Sequence, residues 1–177
     1  MRGETNELCF GGENEILREK GKTPPFLLKL EEPGDNSLRI RIAAPMDGEA
    51  GTGIDPAVDS RNVPGLREML EKSCPVCADA SRCWEIVFPQ YLMVQVRNES
   101  YTVWDDYEIR RGRALILFER SRLLDSLQTV TICRKMNDGE WYPGEWKHYG
   151  IYTEDQIIDV IAHTEPQIRR IVPDTDI

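Results

Sequence analysis

Three cysteines that stand close together have side chains able to bind a transition metal. Cys74 and Cys77 form a C-x-x-C pair, and Cys83 follows six residues later. Such a pair can present two thiolates to one zinc ion, and a structural zinc site needs four ligands. Cys133 or His148 would have to complete the set. Because no second C-x-x-C pair is present, we favour reduced cysteines without metal and keep a zinc-stabilised module as an alternative.

A polar segment, residues 105–113, combines carboxylates with arginines. Asp106, Glu108 and Arg110 are its candidate binding residues. Carboxylates of shifted pKa can transfer protons, and guanidinium groups bind anions. Neighbouring opposite charges more often neutralise each other in a solvated turn. A small-ligand-binding protein or enzyme that uses this polar face together with His148 is therefore the second functional hypothesis.

The segment 141–149 is rich in aromatic residues and turn formers. Its candidate partner- or ligand-binding residues are Trp141, Tyr142, Trp146, His148 and Tyr149. Aromatic side chains on such a segment either anchor a partner or cover the edge of a sheet. No G-x-S-x-G or H-E-x-x-H motif occurs in the chain. We therefore predict no catalytic residue, and the sequence favours a protein that is not an enzyme.

The elements that would position these residues are predicted mainly from hydrophobic periodicity. Alternating or continuous apolar residues predict strands at 26–30, 37–42, 84–88, 91–97, 114–118, 129–134 and 148–152, with one more beginning at Tyr101. The run 114–118 is apolar at every position, which predicts a strand covered on both faces. Turn residues between consecutive strands favour antiparallel pairing.

Capping residues predict the helices. One begins at Asn62 and ends before Pro75, and a second is capped by Ser121. A third begins with the capping-box spacing of Thr153 and Gln156, and a fourth begins at Pro166. The predicted fold class is α+β, a mainly antiparallel, meander-like sheet of about five to seven strands with helices at its side and C-terminus. Residues 1–25 are predicted to be a flexible, solvated N-terminal arm, and residues 26–177 a single α+β domain.

Composition and charge limit the functional classes. The 177 residues carry a net charge of −9, and residues 136–177 hold nine acidic and three basic side chains. This charge disfavours nucleic acid as a partner and favours a basic protein. No apolar run approaches the ~20 residues that span a bilayer, and no secretory signal pattern is seen. An odd number of cysteines fits a reducing compartment, so a cytoplasmic protein without membrane contact is expected.

The first functional hypothesis combines these observations. We expect a small acidic protein–protein interaction module that neutralises a basic partner, in the way that toxin-immunity proteins do. Clustered negative charge gives fast, salt-sensitive association with a basic target. The aromatic segment 141–149 would contribute to the contact surface.

Overall fold

A computed structural model of the chain describes residues 8–17, 23–48 and 74–172. Within these residues, regular structure consists of eleven strands and one α-helix. The first six strands are β1 (Phe26–Gly34), β2 (Ser37–Asp47), β3 (Val76–Phe88), β4 (Tyr91–Asn98), β5 (Ile109–Arg111) and β6 (Leu115–Arg120). The helix α1 (Arg122–Val130) precedes β7 (Arg134–Lys135), β8 (Trp141–Tyr142), β9 (Lys147–Tyr152), β10 (Gln156–Ala162) and β11 (Gln167–Ile171). Strands therefore dominate the described chain.

The strands form two main sheets and a small ribbon, and every pairing is antiparallel. One sheet has the order β1-β2-β3-β11, and the other has the order β4-β10-β9-β6-β5. Strands β7 and β8 pair with each other. The C-terminal strand β11 thus returns to β3, whose sheet is otherwise built from the first half of the chain.

The two main sheets share one hydrophobic core. Strands β2 and β3 of the first sheet contribute Leu38, Ile40, Ile42, Trp84, Ile86 and Phe88, and strands β6, β9 and β10 of the second contribute Leu115, Tyr149, Ile151, Ile158 and Val160. In β2 and β3 the core residues alternate with polar ones, because successive side chains of a strand point to opposite faces. The architecture is a β-sandwich with its core between the sheets.

The helix α1 packs on the other face of the five-stranded sheet. Ser121 caps it, since its Oγ accepts a hydrogen bond from the Leu124 amide at 3.1 Å. Leu127 then meets Ile161 of β10 and Cys133 in a second, smaller hydrophobic cluster. Strands β9 and β10 are therefore covered on both faces. Among the described residues, no helix has the length and hydropathy needed to cross a bilayer.

The predicted antiparallel pairing and the capped helix at the side are confirmed, but the single meander-like sheet is wrong, because the strands form two main sheets and a small ribbon. The two predicted C-terminal helices are wrong, because β10 and β11 occupy those positions. Thr153 does not form a capping box. Its hydroxyl and its amide both bond the Gln156 carbonyl, at 2.7 and 2.9 Å, in the turn between β9 and β10. The β-branched residues of 156–162 then favour a strand that is buried on both faces.

The remaining predicted strands are confirmed in part. The strands at 26–30, 37–42, 84–88, 91–97, 114–118 and 148–152 are confirmed, but eleven strands exceed the predicted number. The strand predicted at 129–134 is wrong, since α1 continues to Val130. A short 3₁₀ turn at Glu99–Tyr101 and an irregular segment replace the strand expected from Tyr101. The helix predicted between Asn62 and Pro75 lies outside the described residues.

Residues 8–17 pack against the sandwich, which differs from the solvated arm expected for 1–25. Leu8 and Leu17 are buried in the main core. The ring of Phe10 makes edge contacts with Phe88 and Tyr149, with centroids 6.0 and 4.9 Å away. Apolar side chains spaced without a regular period are thus still core residues here. The division into an arm and one domain stays a prediction.

A buried carboxylate organises the outer face of the four-stranded sheet. Glu85 of β3 is 1% exposed. Its Oε1 accepts two hydrogen bonds from Arg169 at 2.9 and 2.5 Å, and its Oε2 accepts one from Arg41 at 3.1 Å. Arg39 lies 3.5 Å from the same Oε2. Burial alone disfavours the charged carboxylate, but the hydrogen bonds from Arg169 and Arg41 outweigh it and hold the pKa of Glu85 below its usual value.

Gly112, in the turn between β5 and β6, is expected to tolerate no side chain. Its φ is +92°, and an added Cβ would lie 2.7 Å from backbone atoms of Gly11 and Leu115. We expect Gly112→Ala to lower the free energy of unfolding by about 2–4 kcal/mol, because backbone strain and a rigid clash add together. Urea denaturation measures this loss.

Gly139 provides the matched control. Its φ is +91°, yet among the described residues no atom beyond its chain neighbours would lie within 4 Å of an added Cβ. Gly139→Ala should therefore cost about 1 kcal/mol, from the backbone conformation alone. Equal losses for the two variants would contradict the close approach of residue 112 to residue 11.

Candidate functional site

Four polar side chains form a continuous chain of contacts between α1 and the five-stranded sheet. The His148 ring lies with Nδ1 at 2.8 Å from Ser121 Oγ and Nε2 at 3.0 Å from Asp159 Oδ1. Asp159 Oδ2 lies 3.1 Å from Nη2 of Arg97. Ser121 is 0% exposed and Asp159 is 2% exposed. The residues come from β4, β9, β10 and the cap of α1, so four separate elements meet at this chain.

The hydrogen-bond partners assign the protons. Ser121 Oγ already accepts from the Leu124 amide, and its hydroxyl can donate to His148 Nδ1. His148 Nε2–H then donates to Asp159, whose charge is balanced by Arg97. We infer this tautomer from the network, because it leaves every member of the Ser121–His148–Asp159 chain with a partner.

Serine, histidine and aspartate are also the residue types of a hydrolase triad, but their placement here is structural. Ser121 is buried, and its oxygen is engaged in capping α1. The Phe118 ring stacks flat on His148, with centroids 3.9 Å apart. A nucleophile must reach a substrate carbonyl, which this serine cannot do from the interior. The chain therefore orients α1 on the sheet.

A cavity of about 590 Å³ lies between the two sheets, beside β11. Strands β3, β6, β9 and β11, the segment 8–17 and the β10–β11 connection all contribute to its wall. Its lining residues are Leu8, Cys9, Phe10, Ile16, Trp84, Leu117, Lys147, Tyr149, Glu165, Pro166, Ile168 and Arg170. The space is partly open to solvent, so it is a cleft that a ligand could enter rather than a closed interior void.

Tyr149 lines this wall, and its hydroxyl is buried. Its hydroxyl oxygen is buried and makes no hydrogen bond within the described structure. Burial, with smaller effects from the charges of Glu165 and Glu145, raises the pKa of Tyr149 to about 12. The phenol therefore stays protonated near neutral pH, and its donor has no acceptor among the described residues. A polar group left in this state is costly unless another molecule satisfies it.

Charged side chains stand at the mouth of the cavity. Lys147 Nζ lies 3.3 Å from Glu165 Oε1. Arg170 donates from Nη2 to the Ser81 carbonyl at 3.0 Å. Both cations belong to strands whose neighbouring inward residues, Tyr149 and Ile168, line the interior. The cavity thus joins an apolar wall to a mouth with two positive groups and one negative group.

The predicted aromatic site residues are distributed over four environments. Trp141 and Trp146 pack against the cluster beneath α1. His148 belongs to the buried polar chain, and Tyr149 lines the inter-sheet cavity. Tyr142 is exposed, with the Arg134 guanidinium 5.8 Å from its ring. The five residues therefore do not form one continuous binding surface. Their role in binding stays a prediction.

The predicted polar site residues lie near the start of α1. Asp106 is exposed, while Glu108 accepts a long hydrogen bond of 3.4 Å from the Arg122 amide. Arg110 stacks 3.9 Å above the Trp104 ring, beside an open groove of about 730 Å³. The neighbouring Asp105 bonds Arg122 at 2.6 Å, and this hydrogen bond holds the pKa of Asp105 below its usual value. Internal pairing thus accounts for much of the segment.

Two of the predicted metal ligands, Cys77 and Cys83, lie in β3, and Cys74 lies just before it. Cys74 and Cys77 are exposed, and Cys77 is paired in register with Met46 of β2. Cys83 is buried, and its thiol donates to the Asp79 carbonyl at 3.4 Å. Burial and the Asp79 charge raise the pKa of the Cys83 thiol. In the described part of the chain, no three His, Cys, Asp or Glu side chains are grouped to hold a metal, and the zinc hypothesis stays a prediction.

Sequence reasoning missed several residues of both sites. Asp159 had a signal, because it is the single charge in the apolar run 156–162, and such a residue needs a buried partner. The signal for Lys147 was weaker: it lies two positions before the predicted Tyr149, and alternate residues of a strand share a face. Trp84 and Arg170 had none, because they face each other only through the pairing of β3 with β11.

Comparisons of the chain with protein-family models, with curated proteins and with solved structures found no match.

Proposed function

We propose that this protein is a non-catalytic binder of a small, largely apolar molecule, which it holds in the cavity between the two sheets. The observation that carries the proposal is the cavity of about 590 Å³ in the sandwich. Ligand pockets typically measure ~300–1,000 Å³ and combine apolar walls with a few polar groups. The cavity has the size of such a pocket, and its wall combines aromatic and aliphatic side chains with charged ones.

The lining supports an apolar ligand body. The rings of Phe10, Trp84 and Tyr149 and the side chains of Leu117 and Ile168 face the space. Burying aromatic and aliphatic groups of a ligand against them removes apolar surface from water, at roughly 25 cal/mol per Å². The unpartnered hydroxyl of Tyr149 adds a polar group near the same wall.

The burial of Ser121 and His148, the best candidates for a nucleophile and its base, supports binding without catalysis. Ser121 and His148 are both buried, and the described wall residues of the cavity include neither of them. The described lining holds one thiol, that of Cys9, but no histidine that could activate it. This lining supports binding of a ligand rather than catalysis.

Titration with anilinonaphthalene sulfonate tests the proposal, because the fluorescence of this probe rises in an apolar site. We expect saturable binding of one equivalent, with a dissociation constant on the order of 10 μM. Two variants, Leu117→Trp and Ile168→Trp, place a larger side chain in the cavity and should weaken binding at least about tenfold. Circular dichroism confirms that each variant remains folded.

Val130→Trp is the control, because Val130 is exposed near the end of α1 and does not line the cavity. This variant should bind the probe as the unmodified protein does. Absence of probe binding to the folded protein, or equal binding to the cavity-filling variants, would overturn the proposal.

A basic protein partner remains the second candidate function, supported by a different surface. Val130, Ile132, Met136 and Tyr142 are exposed apolar residues on α1, β8 and the segments beside β7. Acidic side chains at Asp138 and elsewhere in 136–177 outnumber basic ones nine to three. An exposed apolar patch is typical of an interaction surface, but β7 within it carries the exposed Arg134 and Lys135. The preference for a basic partner therefore rests on the acidic excess of the C-terminal segment.

Affinity purification from the native host at low and high salt tests this second candidate. We expect one basic protein that is released by salt, and Ile132→Asp should abolish its capture without lowering the melting temperature. Recovery that is insensitive to salt, or to Ile132→Asp, would exclude this surface as the site of a basic partner.

A further inference from the structure

The cations at the cavity mouth are aimed toward the same space as its apolar wall. Lys147 and Tyr149 alternate along β9, so both side chains point toward the sandwich interior. Arg170 of β11 is paired in register with Trp84 of β3, which places it on the inner face as well. A ligand in the cavity would therefore meet both cations where it emerges.

Within the described part of the chain, most of the hydrogen-bonding capacity of Arg170 is available. A guanidinium has five N–H donors, and one of those of Arg170 is used on the Ser81 carbonyl. The planar fork of arginine suits two-point binding of a carboxylate. Its fixed carbonyl contact also reduces the freedom lost when a ligand binds.

Lys147 forms an exposed ion pair that a ligand could replace. Its partner Glu165 is 81% exposed, and the two charged atoms are 3.3 Å apart. Exposed ion pairs contribute little to stability, so Glu165 can turn to solvent at small cost. A carboxylate delivered by a bound ligand would replace it beside Lys147.

From this arrangement we infer the ligand class. The cavity binds molecules with an apolar body and a terminal carboxylate, the body lying between Trp84 and Tyr149 and the carboxylate lying between Arg170 and Lys147. The inference rests on the proposed binding function and adds the identity of the polar end. A cationic ligand would meet two like charges at the mouth, and an uncharged one would leave the Arg170 donors unused.

Three ligands with the same ten-carbon body separate these alternatives: decanoate, decanol and decylamine. Calorimetric titration of the full chain, below the critical micelle concentration, should give decanoate at least about tenfold tighter binding than decanol. Decylamine should bind most weakly. The comparison isolates the terminal group because the apolar body is constant.

Variants at the cavity mouth test whether Arg170 and Lys147 cause the preference for decanoate. Arg170→Gln should weaken decanoate binding about tenfold or more and leave decanol binding within about twofold, and Lys147→Gln should act in the same direction with a smaller effect. Arg169→Gln is the matched control, since Arg169 is the adjacent residue on β11 but bonds Glu85 on the outer face. It removes the same charge and should not change decanoate affinity.

The outcomes distinguish the ligand class from the binding function. Equal affinities for the three molecules, tightest binding of decylamine, or a decanoate preference that survives Arg170→Gln would overturn the carboxylate class while the cavity remains a binding site. Binding of anilinonaphthalene sulfonate without binding of decanoate would also overturn it. Failure of all four molecules to bind the folded protein would overturn both the ligand class and the proposed function.

Discussion

Asp159→Ala is expected to lower the free energy of unfolding by about 3–5 kcal/mol. The carboxylate accepts from His148 on one oxygen and lies against Arg97 on the other, inside the protein. Its removal leaves the His148 Nε2–H without an acceptor and the Arg97 charge without its counterion. Urea denaturation at pH 7, followed by circular dichroism, measures the loss.

Two further variants separate the hydrogen bond to His148 from the charge beside Arg97 and provide a control. Asp159→Asn keeps an acceptor for His148 but removes the charge beside Arg97, so we expect a smaller loss of about 1–3 kcal/mol. Asp155→Ala, at the exposed turn before β10, should change stability by at most about 0.5 kcal/mol. A loss below about 1 kcal/mol for Asp159→Ala would show that the polar chain does not stabilise the attachment of α1.

Glu85→Gln, a substitution in the four-stranded sheet, is expected to lower the free energy of unfolding by about 2–4 kcal/mol. The carboxylate is the shared counterion of Arg41 and Arg169, with Arg39 nearby, and an amide cannot neutralise them. We place the loss below the full value for a buried pair because Arg169 is largely exposed to solvent. Glu119→Gln, which removes an exposed partner of Arg111, should cost at most about 1 kcal/mol.

The pH dependence of the same group follows from its lowered pKa. Glu85 has a folded-state pKa below that of the unfolded chain, so the unfolded state binds its proton first as the pH falls. Its stabilising contribution is fully present above the unfolded value of about 4.3 and is lost as the pH falls through the folded value. Glu85→Gln should therefore show a flatter loss of stability below about pH 4.5. Parallel acid-unfolding curves for the two proteins would contradict this assignment.

Much of the secondary structure could be predicted because its causes are local. The alternation in 37–42 and 84–88, the apolar run 114–118 and the capping role of Ser121 depend on neighbours within a few residues. The segment 156–162 could not be predicted in the same way. Its apolar residues fit a strand or a buried helix, and the decision came from burial between the other sheet and α1.

The candidate site was less predictable, because its residues meet across the fold. Tyr149 and Lys147 share a strand, but Trp84 is 65 positions before Tyr149 in the chain. Local reasoning placed His148 and Tyr149 together in one aromatic segment. Their opposite directions from β9 instead send His148 toward α1 and Tyr149 toward the cavity.

The sequence by itself determined the acidic charge, the strand-forming segments and the start of α1, since each depends on composition or on residues close in the chain. Tertiary structure alone decided that the strands divide into two sheets, that β11 pairs with β3 and that a cavity remains between the layers. The physical reason is that side-chain direction has a local period, whereas the partner each face meets depends on the packing of distant segments. The packing of distant segments therefore also decides which of the cysteine, arginine and aromatic side chains come into contact.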